Sequence, residues 1–280
     1  MDIALIDYME DDEVVIDFIT GLVALGGRPR RVFGKNSYVT PCKRDSDDLN
    51  QCIVNAWEAL RPKMGEGIPK LKIPPLEPFL ISEMSIDRRT DSIDVKATMT
   101  QLAIMGVNSV MFSKLNVDLT DLSGSVSLAF ADLNVTTLYV MDAMLMKIIP
   151  MKGQGKFNGT LNDIKVNVTG RAELSPKNER GNSYLKLVEI KFKGFISDAR
   201  GRLVDTTKNP ENKIFAETAN MFYDNNRRGV LDILTPFIEE FCESLVVELA
   251  NQILSTVPFE EMFIEAVSKK PLQKPNNIIP

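Results

Sequence analysis

A long helix with a broad apolar stripe must bury that stripe against something, and this chain carries one near its end. Phe237, Ile238, Phe241, Cys242, Leu245, Val246, Leu249, Ala250, Ile253 and Leu254 recur at helical spacing, with Glu239, Glu240, Glu243 and Glu248 at the intervening positions. The pattern predicts a helix from Pro236 to Val257, about 33 Å long at 1.5 Å per residue. Most of what precedes it alternates like strands, so the partner of the stripe is a sheet. Taken alone the stripe is ordinary core. Set against a single curved layer of strands, it becomes one wall of a channel.

The alternation is explicit. Ile93, Val95, Ala97 and Met99 interleave with Asp94, Lys96 and Thr98, which gives one buried and one wet face. The segments Leu115–Leu119, Val126–Phe130 and Leu133–Leu138 repeat it. Phe157, Gly159 and Leu161 share one parity, and Ile164, Val166 and Val168 the other, so a bulge or bend is expected at Asn162-Asp163. Leu185 and Leu187 followed by Ile190 and Phe192 make the same switch. Repeated bends let a sheet curl. The fold class is therefore α+β, a curved sheet with a long C-terminal helix.

Upstream, Leu49, Cys52, Ile53, Ala56 and Leu60 recur at helical spacing. Asp45 or Ser46 is the expected cap, and Pro62 the expected stop. Gly65–Pro78 is rich in Gly and Pro and reads as an extended segment held by Ile68, Leu71, Ile73 and Leu76. The chain has three cysteines, which cannot all pair within it. Cys42 and Cys52 are close enough to close a short loop, a reading that needs an oxidising compartment. Cys242 on the apolar stripe reads as a buried, unreactive thiol.

Composition excludes several functions. A net charge of −5 gives nucleic-acid binding no electrostatic support. The chain has no histidine, so a histidine-dependent hydrolytic triad and the commonest metal ligand are absent. Gly153-x-Gly155-x-x-x-Gly159 is one residue off a dinucleotide fingerprint and leads into a strand pattern, not a helix. Asp45, Asp47 and Asp48 lack the spacing of a calcium loop. No catalytic residue, metal or cofactor is expected. Before Arg28 the chain has seven acidic residues from Asp2 to Asp17 and no Lys or Arg, unlike a secretory leader. Val14–Gly27 is apolar but too short to span a bilayer.

Pro41-Cys42 through Cys52-Ile53, Ile68-Pro69 to Pro78-Phe79, and Pro150-Met151-Lys152-Gly153-Gln154-Gly155-Lys156-Phe157 with Thr160-Leu161 carry a resemblance. Gly181–Lys186 and Phe259-Glu260-Glu261-Met262-Phe263 fit it as well. Over about residues 38 to 265 the chain resembles the insect takeout and haemolymph juvenile-hormone-binding protein family. It lacks the cysteines for the second disulfide of the moth hormone carriers, and in this it resembles the takeout branch. The run Tyr223-Asp224-Asn225-Asn226-Arg227-Arg228-Gly229 replaces the family's usual approach to the last helix.

The resemblance implies a long helix wrapped by a strongly curved antiparallel sheet, a TULIP-like super-roll, enclosing an apolar tunnel. It implies a Cys42–Cys52 disulfide, extracellular location despite the leaderless N-terminus, and a carrier linked to circadian, feeding or chemosensory physiology. The domains expected are an N-terminal extension over 1–37, the ligand-binding domain over 38–268 and a tail over 269–280. The partner is a hydrophobic small molecule, with a monomeric protein and no nucleic acid or transmembrane segment. Inward parity assigns Ile93, Val95, Met99, Ile164, Val166, Ile190 and Phe192 to the lining, and the stripe adds Phe237, Phe241, Leu245 and Leu249. Sequons at Asn134, Asn158 and Asn167 lie between inward-parity residues and so face solvent, where they are glycosylation candidates. The alternative is a signalling or interaction protein on the same fold, with the tunnel filled by its own side chains.

Overall fold

A computed structural model describes residues 3–5, 39–89, 93–145 and 148–265. Expectations for residues 6–38 and 266–280 lie outside the described residues. In chain order the strands are β1 (Ile3–Leu5), β2 (Cys42–Lys43), β3 (Phe79–Arg89), β4 (Ile93–Met105), β5 (Met111–Asp118), β6 (Ser123–Leu145), β7 (Ile149–Leu174), β8 (Leu185–Val204) and β9 (Phe263–Ile264). The helices are α1 (Leu49–Met64), α2 (Pro210–Asn225), α3 (Arg227–Leu254) and the short α4 (Phe259–Met262). The main sheet runs β1-β3-β4-β6-β7-β8, with β5 paired to the first half of β6, and every pairing in it is antiparallel.

The sheet bends where the apolar parity switches. Ala131, Asp163 and Ser197 drop out of the ladders together, and Asp163 takes a left-handed φ of 46°. The Ser197 hydroxyl donates to the Asp163 carboxylate at 2.8 Å across this line. Phe130 and Leu133, Leu161 and Ile164, and Ile196 and Ala199 therefore all reach the same inner cluster from either side of the bend. A second bend crosses β3 and β4 at Ser82 and Gln101, where Gln101 has a φ of 53°. It turns Ile81 and Met84, and Met99 and Leu102, to one face. On β8 the extra residue is Val188, bulged between Leu187 and Glu189. Each bend adds curvature that a flat pleat lacks.

The curl brings both ends of the sheet onto α3. Phe79, Ile81, Met84 and Leu102 pack with Phe241 and Leu245. Ile164, Val166, Ile196 and Ala199 pack with Leu231 nearer the start of the same helix. A third cluster, Met64, Leu71, Ile73 and Val257, joins α1 and the Gly/Pro segment to the chain beyond α3. Clusters of this size supply most of the stability of such a fold, at about 25 cal/mol per Å² of apolar surface buried.

β8 ends the sheet, and an edge strand has a row of unpaired backbone groups. Here helix side chains cap that row. Asn251 exchanges two hydrogen bonds with the backbone of Leu187, at 2.8 and 3.1 Å. Glu243 accepts from Phe192 N–H and Glu239 from Gly194 N–H, both at 2.9 Å. Arg228 donates to the Ile196 carbonyl, Tyr223 to that of Ala199, and Asn220 exchanges two bonds with Leu203. The register works because four helical residues rise about 6 Å and two strand residues about 6.7 Å. Glu239 and Glu243 thus occupy the sheet-facing side of α3 as edge caps, where periodicity had put them among the wet positions.

Four boundaries differ from the sequence reading. The last helix begins at Arg227, not Pro236, and ends at Leu254, where Ser255 and Thr256 turn their hydroxyls back to the Gln252 and Ile253 carbonyls. Pro236 sits inside it, tolerated because Leu231 before it and Ile238 after it are held in one cluster. α1 runs through Pro62 to Met64, whose side chain is 2% exposed. Its cap is Asp48; neither Asp45 nor Ser46 takes that position, and Ser46 instead accepts from the Asp48 N–H. The whole of α2 is an addition, started by Asn209, whose side chain accepts from Glu211 N–H, with Pro210 in the first turn.

The Cys42–Cys52 disulfide is present and ties β2 to α1. β2 pairs in parallel with β9, Arg44 donates to the Phe263 carbonyl at 2.8 Å, and its guanidinium lies over the Phe259 ring. The start and the end of the domain are thereby joined. The edge capping gives a sharp expectation. Glu243→Ala strands the Phe192 N–H and destabilises by about 1–2 kcal/mol, whereas Glu243→Gln keeps an acceptor and stays within about 0.5 kcal/mol of the parent. Urea unfolding of both variants measures the difference; equal losses would mean the cap does not hold the strand.

Candidate functional site

The expected lining residues divide between the two clusters on α3. Met99 and Leu249 pack against the cluster that contains Phe241 and Leu245, which are 7% and 8% exposed. Ile164 and Val166 belong to the second cluster, with Phe192 packed against it. Ile190 is buried on β8, and Val95 and Phe237 are half-buried; none of the three joins a cluster. Ile93 pairs with Leu145, but its side chain lies outside the described residues. Cys242 packs against the first cluster, and burial, with Glu239 as a second cause, pushes its thiol up to about 12. It is a packing residue and a poor nucleophile at neutral pH.

The stripe extends beyond what the clusters cover. Leu234 falls on the same face of α3 as Phe241 and Leu245, at steps of seven and eleven residues. It is nevertheless 44% exposed, and the adjoining Ile233 is 42% exposed. Val230 and Phe237 on the flank are half-buried. The first half of α3 therefore carries apolar surface that the described sheet leaves partly open.

The region where α2 closes onto the sheet contains residues that are not among the expected lining. Tyr139 on β6 points inward, is 6% exposed, and lies across the ladder from Met99 on one side and Gly155 on the other. Its ring is tilted against that of Phe215 from α2, with centroids 6.4 Å apart. Gly153 and Gly155 are required here. A Cβ on Gly153 would overlap the Phe215 ring, and one on Gly155 would overlap the Val204 carbonyl. The glycine pair thus lets α2 and the end of β8 press against β7, and it cradles no phosphate. The chain signal for this region was the inward parity of Thr137 and Tyr139 beside Met99.

Outside, the three sequon asparagines are exposed. Asn134 stands opposite Thr160, and Asn158 opposite Thr136, so two sequons lie antiparallel on neighbouring strands. The Thr160 hydroxyl donates to Asn134 at 2.8 Å. A surface groove of about 370 Å³ runs along Asn134 and Asn158 to Arg200, Arg202 and Asp224, and none of the expected lining residues borders it. Among the described residues no group of three or more carboxylate or thiol side chains could hold a metal, and no helix is long and apolar enough to cross a membrane.

These features agree with known proteins. The crystal structure of Epiphyas postvittana Takeout 1 superposes with a TM-score of 0.64 at 17% identity, covering 81% of this chain and 100% of that one. The circadian clock-controlled protein daywake of Drosophila melanogaster is 24% identical over 240 residues, 83% of this chain and 91% of its own. A Schistocerca gregaria protein to which β-carotene binding is ascribed is 21% identical over 225 residues, 78% of this chain and 85% of its own. The profile of the haemolymph juvenile hormone binding protein family matches residues 21–264, and the chain belongs to that family.

Proposed function

We propose that the protein is an extracellular carrier, without enzymatic activity, that holds a hydrophobic small molecule between α3 and the inner face of the sheet. The observation that carries this is Leu234, central on the apolar stripe yet 44% exposed, two turns from Phe241 at 7%. An interior filled by its own side chains would bury both alike. In this reading the ligand space runs from the Phe241–Leu245 cluster, on which Met99 packs, toward Leu234 and Phe237. Family membership and the relative to which carotenoid binding is ascribed support a lipophilic guest, and the daywake relatives support a link to circadian physiology. The exposed sequons fit a glycosylated, secreted product.

Mass spectrometry of an organic extract of the purified protein tests the reading: a stoichiometric lipid is expected, and an empty extract together with no binding of added lipid would overturn it. Two substitutions locate the space. Leu234→Asp folds, because its site is open, and weakens binding of a fluorescent fatty-acid analogue by about tenfold or more, near 1.4 kcal/mol. Phe241→Asp places an unpaired charge in a closed cluster and abolishes cooperative unfolding seen by circular dichroism.

Selectivity follows from the lining. The inward residues Val95, Met99, Ile164, Val166, Ile190 and Phe192 are all uncharged. Nothing there anchors a carboxylate, and methionine walls adapt to chain length. Palmitic acid and methyl palmitate are expected to bind within about tenfold of one another, measured by displacement of the same analogue.

A further inference from the structure

Of the bulky apolar side chains on α2, Ile214, Met221 and Phe222 are exposed, whereas Phe215 turns its ring against the inner face of the sheet. The residues that α2 buries beside it, Ala216 and Ala219, are small. The sheet beneath is small as well. Gly153 and Gly155 belong to β7, Ala143 to β6 and Ala97 to β4, and both alanines are buried. The Phe215 ring lies where a Gly153 side chain would stand, and it leans on Tyr139. A corner built of glycine and alanine leaves volume that the strands do not fill, and a close-packed interior needs something else to fill it. One aromatic ring, carried by a separate element, does so.

This corner adjoins the ligand space. Met99 packs on the Phe241–Leu245 cluster and faces Tyr139 across the ladder, and Tyr139 meets the Phe215 ring. We infer that Phe215 is the end stop of the ligand space, and that its ring sets the longest apolar chain the protein accepts. The inference rests on the carrier reading and adds an upper bound on length, which pliant methionine walls do not supply. The ring cannot retreat with its helix, because α2 is pinned to β8: Asn220 exchanges two hydrogen bonds with Leu203, and Tyr223 donates to the Ala199 carbonyl. A methylene that enters apolar surroundings contributes about fourfold in affinity. One that would overlap the ring contributes nothing, or forces a packed side chain aside.

The test is a series of even-numbered methyl esters from laurate to behenate, measured by displacement of N-phenyl-1-naphthylamine. In the wild-type protein, affinity is expected to rise with length up to one ester and to stop rising beyond it. Phe215→Ala is expected to bind the first ester past that limit about tenfold tighter than the wild type does, and the shorter esters within about threefold. Phe215→Trp is expected to move the limit at least one ester shorter. A merely structural role would not produce these shifts, since loosened packing weakens all chain lengths alike. Phe215→Leu, a milder truncation, takes the place of the alanine variant if that one does not fold, with a gain in the same direction. An unmoved limit in the folded variants overturns the stop and leaves the carrier reading intact. So does a wild type whose affinity reaches no limit in the series. A wild type that binds no ester and no probe overturns both.

Discussion

The architecture depends on how one exposed strand edge is satisfied. A sheet that curls around a helix without closing leaves a last strand with half of its backbone groups unpaired, and unpaired groups shielded from water are costly. The caps from Asn220, Tyr223, Arg228, Glu239, Glu243 and Asn251 meet that demand along β8. The four from α3 (Arg228, Glu239, Glu243 and Asn251) also set where that helix sits, since each cap fits one strand position. The axial position of the helix then decides which apolar faces meet the sheet: Leu231 and Ile238 reach β7 and β8, and Phe241 and Leu245 reach β3 and β4. A family whose members share few residues can keep one fold by this route, because backbone groups present the same edge whatever the strand sequence.

The sequence made the stripe, the alternation and two of the bends legible. Asn162-Asp163 and the Leu187–Ile190 step were visible because parity changes there, and the left-handed Asp163 and the bulged Val188 are their physical cause. The same rule applies to Phe79 and Ile81 against Met84 and Ile86, where the apolar positions were too few to stand out from the Pro-rich segment before them. Pro236 and Pro62 read as breaks because a proline inside a helix costs about 3 kcal/mol. Burial of Leu231 and Met64 outweighs that cost, and such burial is invisible locally. Glu239 and Glu243 show a firmer limit. No periodicity separates a carboxylate facing water from one facing a strand's N–H groups. Tyr139 could be placed on the inner face, but the Phe215 ring against it is a tertiary fact.

The three clusters also differ in kind. The one formed by α1, the Gly/Pro segment and Val257 closes one end of the roll with branched and sulfur-bearing side chains and is held by the disulfide and the β2–β9 clasp. At the other end, α2 presses aromatic and small residues onto the paired glycines of β7. Between them, α3 passes from closely packed to partly open surface within two turns. A guest would meet a firm floor at Phe241 and a more yielding region toward Leu234.

The edge caps have a consequence for the making of the protein. Synthesis runs from the N-terminus, so β8 is complete at Val204 before Asn220 exists, and Asn251 follows nearly fifty residues later. Through that interval the strand is a bare template, able to recruit a strand from another nascent chain. The apolar inner face is likewise without its helix until the same late segment emerges. A cell expressing this chain must shelter the emerging sheet until the last quarter has been made, and any stall beyond Val204 would release a species built to aggregate.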